Sequence, residues 1–96
     1  MQFEWDEDKN RLNIAKHGVS FEQAQKIFDG WTYGWLDERF EYGEVREISL
    51  GMVDGAAILV VVHTEREGVC RIISARPALG KEIKIYEKEI RKTFDH

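Results

Sequence analysis

The chain has 96 residues, 43% of them apolar, and a formal net charge of −4 at pH 7 from 18 acidic and 14 basic side chains. That length suits one domain, residues 1–96, around one hydrophobic core. The acidic balance excludes a uniformly basic nucleic-acid binder, no apolar run approaches the roughly 18 residues of a membrane span, and the single Cys70 permits no intrachain disulfide. Glu4, Asp6, Glu7 and Asp8 with no base among the first eight residues are the reverse of a secretory signal. A reducing cytoplasm is the expected compartment. No metal-type Cys/His spacing occurs, so neither metal nor other cofactor is expected.

In chain order, Phe3-Glu4-Trp5 alternates and suits a short edge strand. Asp6 opens a helix with Glu7 and Asp8 in its first turn, where acids complement the macrodipole. The helix runs to about His17, and Gly18 is a natural left-handed cap. Ser20 and Gln23 form a capping box ahead of Phe21, Ala24, Ile27 and Phe28, which recur at helical spacing up to Asp29-Gly30. The two helices are expected to pack across one face of a sheet.

Four strands follow, at about 31–39, 45–53, 57–64 and 69–76, as an antiparallel meander. The first is aromatic (Trp31, Tyr33, Trp35), with its phase broken near Gly34 or Leu36, where a bulge would restore it. Asp54-Gly55 signals the hairpin into the third strand, whose continuous apolar run from Ala57 to Val62 marks a central position. A turn over Glu65-Arg66-Glu67-Gly68 leads to the last strand, which Pro77 stops. After Gly80 a helix carries Ile83, Tyr86, Ile90 and Phe94 at helical spacing. The architecture is thus α+β: two N-terminal helices, a meander of about four strands, and a C-terminal helix.

Charge is uneven along this plan. The stretch Asp37–Glu47 holds five acids, whereas Lys81–Lys92 is net basic, with Arg66, Arg71 and Arg76 just upstream. A polyanion would meet that C-terminal side. The aromatic stretch Trp31–Trp35 and the acidic loop are the candidate docking surfaces for a protein partner. No phosphate loop or nucleophile motif points to a small-ligand enzyme.

The segments FEWDEDKNRLNIAKHGVSF (Phe3–Phe21), Arg46 with Leu50-Gly51, VVVHTEREG (Val60–Gly68), RIISAR (Arg71–Arg76) and KEIKIYE (Lys81–Glu87) together resemble the BrnT toxin family. The resemblance runs through essentially the whole chain. It implies a RelE-like ribonuclease fold and the toxin half of a type II toxin–antitoxin pair. It also implies a BrnA-type antitoxin in a 2:2 heterotetramer, with operator DNA contacted only through the antitoxin and no membrane involved. Such an enzyme cleaves RNA without metal, by attack of a ribose 2′-hydroxyl that leaves a cyclic phosphate. The reaction needs a base, an acid, and a cation for the pentavalent phosphorane.

Arg66 and Arg76 suit the cation role, because the guanidinium fork matches phosphate oxygens. His63 suits the acid or base role. Lys16 with His17 is the rival pair, and Lys84 or Tyr86 could bind phosphate. Whether His63, Arg66 and Arg76 share a face depends on the hairpin register. Two departures from the family pattern, Pro77 and Ile83 where basic residues are usual, keep open an alternative. That alternative is a catalytically weak or inactive module that binds its antitoxin and helps repress the operon.

Overall fold

The computed structural model describes residues 1–95. Its elements are β1 (Gln2–Glu4), α1 (Glu7–His17), α2 (Phe21–Ala24) running into a 3-10 turn (Gln25–Asp29), β2 (Thr32–Leu36), β3 (Glu47–Val53), β4 (Ala57–Arg66), β5 (Val69–Pro77) and α3 (Gly80–Phe94). The sheet order is β1-β5-β4-β3-β2, with β1 parallel to β5 and every other pair antiparallel. The sheet is therefore five-stranded and mixed, where the sequence predicts a four-stranded meander. The difference is that the N-terminal strand, expected as a short edge strand at Phe3-Glu4-Trp5, joins the same sheet in parallel, pairing Gln2, Phe3 and Glu4 along the open edge of β5 at Val69, Cys70 and Arg71.

Local chemistry sets the helix ends. Asp6 accepts from the Asp8 and Lys9 backbone N–H groups at 2.9 and 3.2 Å, and Gly18 closes α1 at φ 72°. Ser20 and Gln23 exchange reciprocal bonds, both 3.0 Å, at the start of α2. α1 docks by amides instead of an apolar stripe. Asn13 reaches the free edge of β5, donating to the Ala75 carbonyl (2.8 Å) and accepting from the Ala75 N–H (3.2 Å), while also donating to the Val19 carbonyl (2.8 Å). Asn10 accepts from the Phe21 N–H at 2.8 Å and so ties the two helices together.

The sheet carries an apolar cluster on each face. On one face α2 and the 3-10 turn bring Phe21, Ala24 and Ile27 against Val53, Leu59, Val61, Ile72 and Ala75. Phe21, Ile27, Val61 and Ile72 are essentially inaccessible there, and each contributes roughly 1.5–3 kcal/mol by burial. Gly51 sits beneath Ile27 so closely that a Cβ would lie 2.5 Å from the Ile27 Cβ. On the other face α3 lays Tyr86 and Ile90 over Ile48, Leu50, Val60 and Val62. One helix cannot cover a whole sheet face, and what it leaves bare becomes a cleft.

The phase break predicted in the aromatic strand is absent, because β2 pairs with β3 in unbroken register from Thr32↔Gly51 to Leu36↔Glu47. The irregularity lies in β5 instead, where Val62 pairs with Ser74 and His63 with Ile72, leaving Ile73 as the extra residue. The β4–β5 turn is also tighter than expected. Arg66 pairs with Val69, and the two-residue loop Glu67-Gly68 has both φ angles positive (53° and 80°), as a type I′ turn requires.

Candidate functional site

Register fixes which side chains share the α3 face. One cross-strand row reads Tyr33, Leu50, Val60, Arg76 and the next reads Trp35, Ile48, Val62, Ser74. α3 starts beside Arg76, where Glu82 lies, and ends near Trp31, which packs against Tyr86 and Phe94 with ring centroids 5.4 and 6.3 Å apart. It thus crosses the face obliquely and leaves the second row open. The result is a cleft of about 530 Å³ floored by Ile48, Val60 and Val62 and bordered by Trp35 and Ser74. Its charged lining comes from four elements: Lys16 and His17 from the last turn of α1, Arg39 from the loop after β2, Arg76 from β5, and Glu82 from α3.

Two of these cations are braced. Arg76 makes a two-pronged ion pair with Glu82, Nη1 to Oε1 and Nη2 to Oε2, both 2.8 Å. Glu82 is buried and also accepts from the Leu79 N–H at 2.8 Å, which caps α3. The guanidinium holds the Glu82 carboxyl below its ordinary range, so the pair stays ionised. Among the described residues no group accepts from Arg76 Nε, whose edge is uncommitted. Arg39 is held likewise by Asp37, with two guanidinium bonds of 2.8 Å, while the carboxylate also accepts from the Arg39 backbone N–H at 3.2 Å and the Tyr42 hydroxyl at 3.0 Å. Asp37 is buried, and the Arg39 fork drives its carboxyl far below the usual carboxylate range. These pairs fix where the two guanidinium groups point, and they offset part of the cleft's positive charge.

The trio His63, Arg66 and Arg76 does not assemble. Arg76 is opposite Val60 on the α3 face, and His63 lies three residues further along β4, an odd step that turns it to the other face. There its ring meets Phe28 edge-on at 4.9 Å and its Nε2 is 2.8 Å from Ser49 Oγ. Burial pushes the imidazole below its ordinary pKa against the opposing pull of Glu47, so it stays neutral near pH 7. Arg66 returns to the α3 side but lies six residues from Val60, roughly 20 Å along the strand, where it pairs with Glu44 at 3.0 Å.

Of the expected phosphate-binding residues, Lys16 and His17 line the cleft with Arg76. Lys84 is exposed on α3 outside the cleft lining. Tyr86 is 4% exposed beneath α3 and lies outside the cleft lining, and burial raises its phenol pKa. Trp35, Arg39 and Glu82 enter the site without having been singled out as site residues. Arg39 was hidden in an acidic loop and Glu82 in a charged helix face, and only tertiary placement separates them from solvated neighbours. Pro77 pairs with Leu59 on the face away from Arg76, so the missing basic residue takes no cation out of this cleft. Cys70 is a buried core thiol, pushed up to about 11 by burial.

Comparison with known proteins bears on the fold and the family. No curated protein matches the chain. The crystal structure of the Brucella abortus ribonuclease toxin BrnT, at 1.1 Å resolution, superimposes with a TM-score of 0.62 and 26% sequence identity. That alignment covers 82% of this chain and 97% of the Brucella one, so the shared fold includes nearly the whole of the relative. A family model described as "Ribonuclease toxin, BrnT, of type II toxin-antitoxin system" matches residues 5–82, from Trp5 ahead of α1 to Glu82 on the cleft wall. With that match covering most of the chain and containing every residue that lines the cleft, the chain belongs to the BrnT family of ribonuclease toxins from type II toxin–antitoxin systems.

Proposed function

We propose that the cleft around Arg76 is the site of a metal-independent endoribonuclease of RelE-like type, acting within a single domain of residues 1–96 in the cytoplasm. The observation that carries this reading is the convergence of Lys16, His17, Arg39 and Arg76 on one apolar floor in a protein of net charge −4. Cations drawn together in an acidic protein mark where a polyanion is met. Arg76, braced by Glu82, presents its free Nε edge to the scissile phosphate and offsets the charge that builds on the phosphorane oxygens. Arg39 supports the same charge or the flanking phosphate. To Lys16 and His17, which line the same cleft, we assign the protons of the 2′-hydroxyl and the leaving 5′-oxygen. His63 in its buried pair with Ser49 serves the fold, and Arg66 with Glu44 ties the hairpin end to the acidic loop. The partner is a BrnA-type antitoxin in a 2:2 assembly that reaches operator DNA through the antitoxin.

A test uses purified protein and a structured RNA with chelator present, wild type beside Arg76→Ala. Wild type is expected to leave 2′,3′-cyclic phosphate ends, and the variant to lose at least about a hundred-fold in rate, the scale of removing one transition-state charge contact. Thermal melts confirm that both are folded. Equal cleavage by both would remove Arg76 from the site.

A second reading rests on the ion pairs Arg76–Glu82 and Arg39–Asp37, which leave little net positive charge in the cleft. On that reading the protein is a catalytically weak module that binds its antitoxin and helps repress the operon. It requires a tight antitoxin complex with no RNA cleavage by wild type in any setting, ribosomes included.

A further inference from the structure

Trp35 is a large apolar cleft residue that neither charge nor the packed core accounts for. Its side chain belongs to the α3 face, in cross-strand register with Ile48, yet the residue is 39% exposed while lining the cleft. A tryptophan left 39% open to water on the edge strand forgoes a substantial part of its burial energy. It is nonetheless held in place. Trp31 and Tyr33 stack at 6.4 Å with planes 23° apart, and Tyr33 meets Trp35 at 6.0 Å, making an aromatic column along β2. Tyr86 and Phe94 of α3 pin the far end of that column through Trp31. Its near end is the open indole. Across the floor and one row along stands Arg76, three strand spacings and two residues away, roughly 16 Å at the backbone, with Arg39 also lining the cleft.

A fixed, exposed ring facing cations over an apolar floor is the arrangement that holds single-stranded nucleic acid, the ring taking a base and the cations the backbone. We propose that Trp35 is a base-stacking platform, and that the cleft consequently takes unpaired RNA, with a base on the indole and the backbone running toward Arg76. This rests on the ribonuclease reading of the cleft and narrows it to a substrate class. Bases within a duplex are already stacked on their neighbours and cannot offer a face to the indole, whereas loop and single-strand bases can.

The probe is a short fluorescein-labelled RNA oligonucleotide with 2′-O-methyl groups, which prevent 2′-hydroxyl attack, used as a single strand and as a duplex. Wild type, Trp35→Phe, Trp35→Leu and Arg76→Ala are compared across a salt series. Wild type is expected to prefer the single strand, and Trp35→Phe to keep that affinity. Trp35→Leu, which keeps an apolar side chain but no ring, is expected to bind roughly ten- to hundred-fold more weakly. Its salt slope should match wild type, since stacking is not ionic, whereas Arg76→Ala should flatten the slope by about one phosphate contact. Oligonucleotide should quench tryptophan emission in wild type and much less in Trp35→Phe, a readout that does not depend on the leucine variant's fold. Single-strand binding that is equal in wild type and folded Trp35→Leu overturns the platform and leaves the ribonuclease cleft standing. No binding of either oligonucleotide by wild type overturns both. Antitoxin-induced quenching of Trp35 emission, with none from the single strand, also overturns the platform and makes the indole a protein-docking surface.

Discussion

His63 and Asn13 are polar side chains buried in the interior, and each is satisfied in a different way. Asn13 substitutes for a missing strand neighbour by bonding both backbone groups of Ala75, so an apolar replacement there would strand two buried backbone groups. His63 has one close partner, Ser49, and an aromatic edge. Its pKa is lowered from 6.5 by burial, so the unfolded chain binds more protons than the folded one once the pH falls below 6.5. Stability is therefore lost as pH drops from 6.5 toward the folded-state pKa. Asp37 and Glu82, held below their ordinary values of 3.8 and 4.5, add a separate loss only nearer those values. Thermal melts from about pH 7.5 to about pH 5 should show the midpoint falling below 6.5, and His63→Gln should flatten that fall. An unchanged slope in the variant would assign the titration elsewhere.

At the scale of elements, the β4–β5 hairpin sets the site by fixing which β5 residues face α3. Its turn is imperfect. Glu67 occupies a left-handed conformation at φ 53° with no glycine to relieve it, beside Gly68 at φ 80°. Asparagine tolerates that conformation and Asn-Gly is the favoured pair for such a turn. Glu67→Asn is expected to raise stability by about 1 kcal/mol, or roughly 4–8 °C in melting midpoint for a chain this size. Calorimetry checks it, and RNA cleavage should be unaffected because the turn lies at the opposite end of the hairpin from Arg76. The aromatic column of β2 and the oblique path of α3 are the other two elements that matter. Together they decide that the open part of the face lies between Trp35 and Arg76 rather than at Tyr86.

Taken as a whole, the molecule opposes its net charge of −4 with a local meeting of Lys16, His17, Arg39 and Arg76. On the proposed function, RNA phosphates compete with Glu82 and Asp37 for two of those cations. If Lys16, Arg39 and Arg76 each neutralise a phosphate, the logarithm of single-strand affinity should fall with the logarithm of salt at a slope of about −2. Titrations at several salt concentrations measure it. A slope near zero would mean that the RNA is not held by this cleft. Among the described residues no helix is long and apolar enough to cross a membrane.

What the residues alone determined is whatever depends on neighbours in sequence. The Asp6 and Ser20 caps, the Gly18 terminus, the Asp54-Gly55 turn, the central apolar strand and the amphipathic α3 follow from spacings of one to four residues. The family was equally legible, because its segments are contiguous words of the chain. Tertiary structure decided the site. Arg76 stands beside Lys16 and His17, sixty residues away in sequence, because Asn13 fastens α1 to the edge of β5. His63 leaves the site because the pleat turns alternate residues to opposite faces, and only the pairing of Val60 with Arg76 shows which face is which. A side chain's face is a property of register, and register is set by contacts between strands that the linear sequence does not rank.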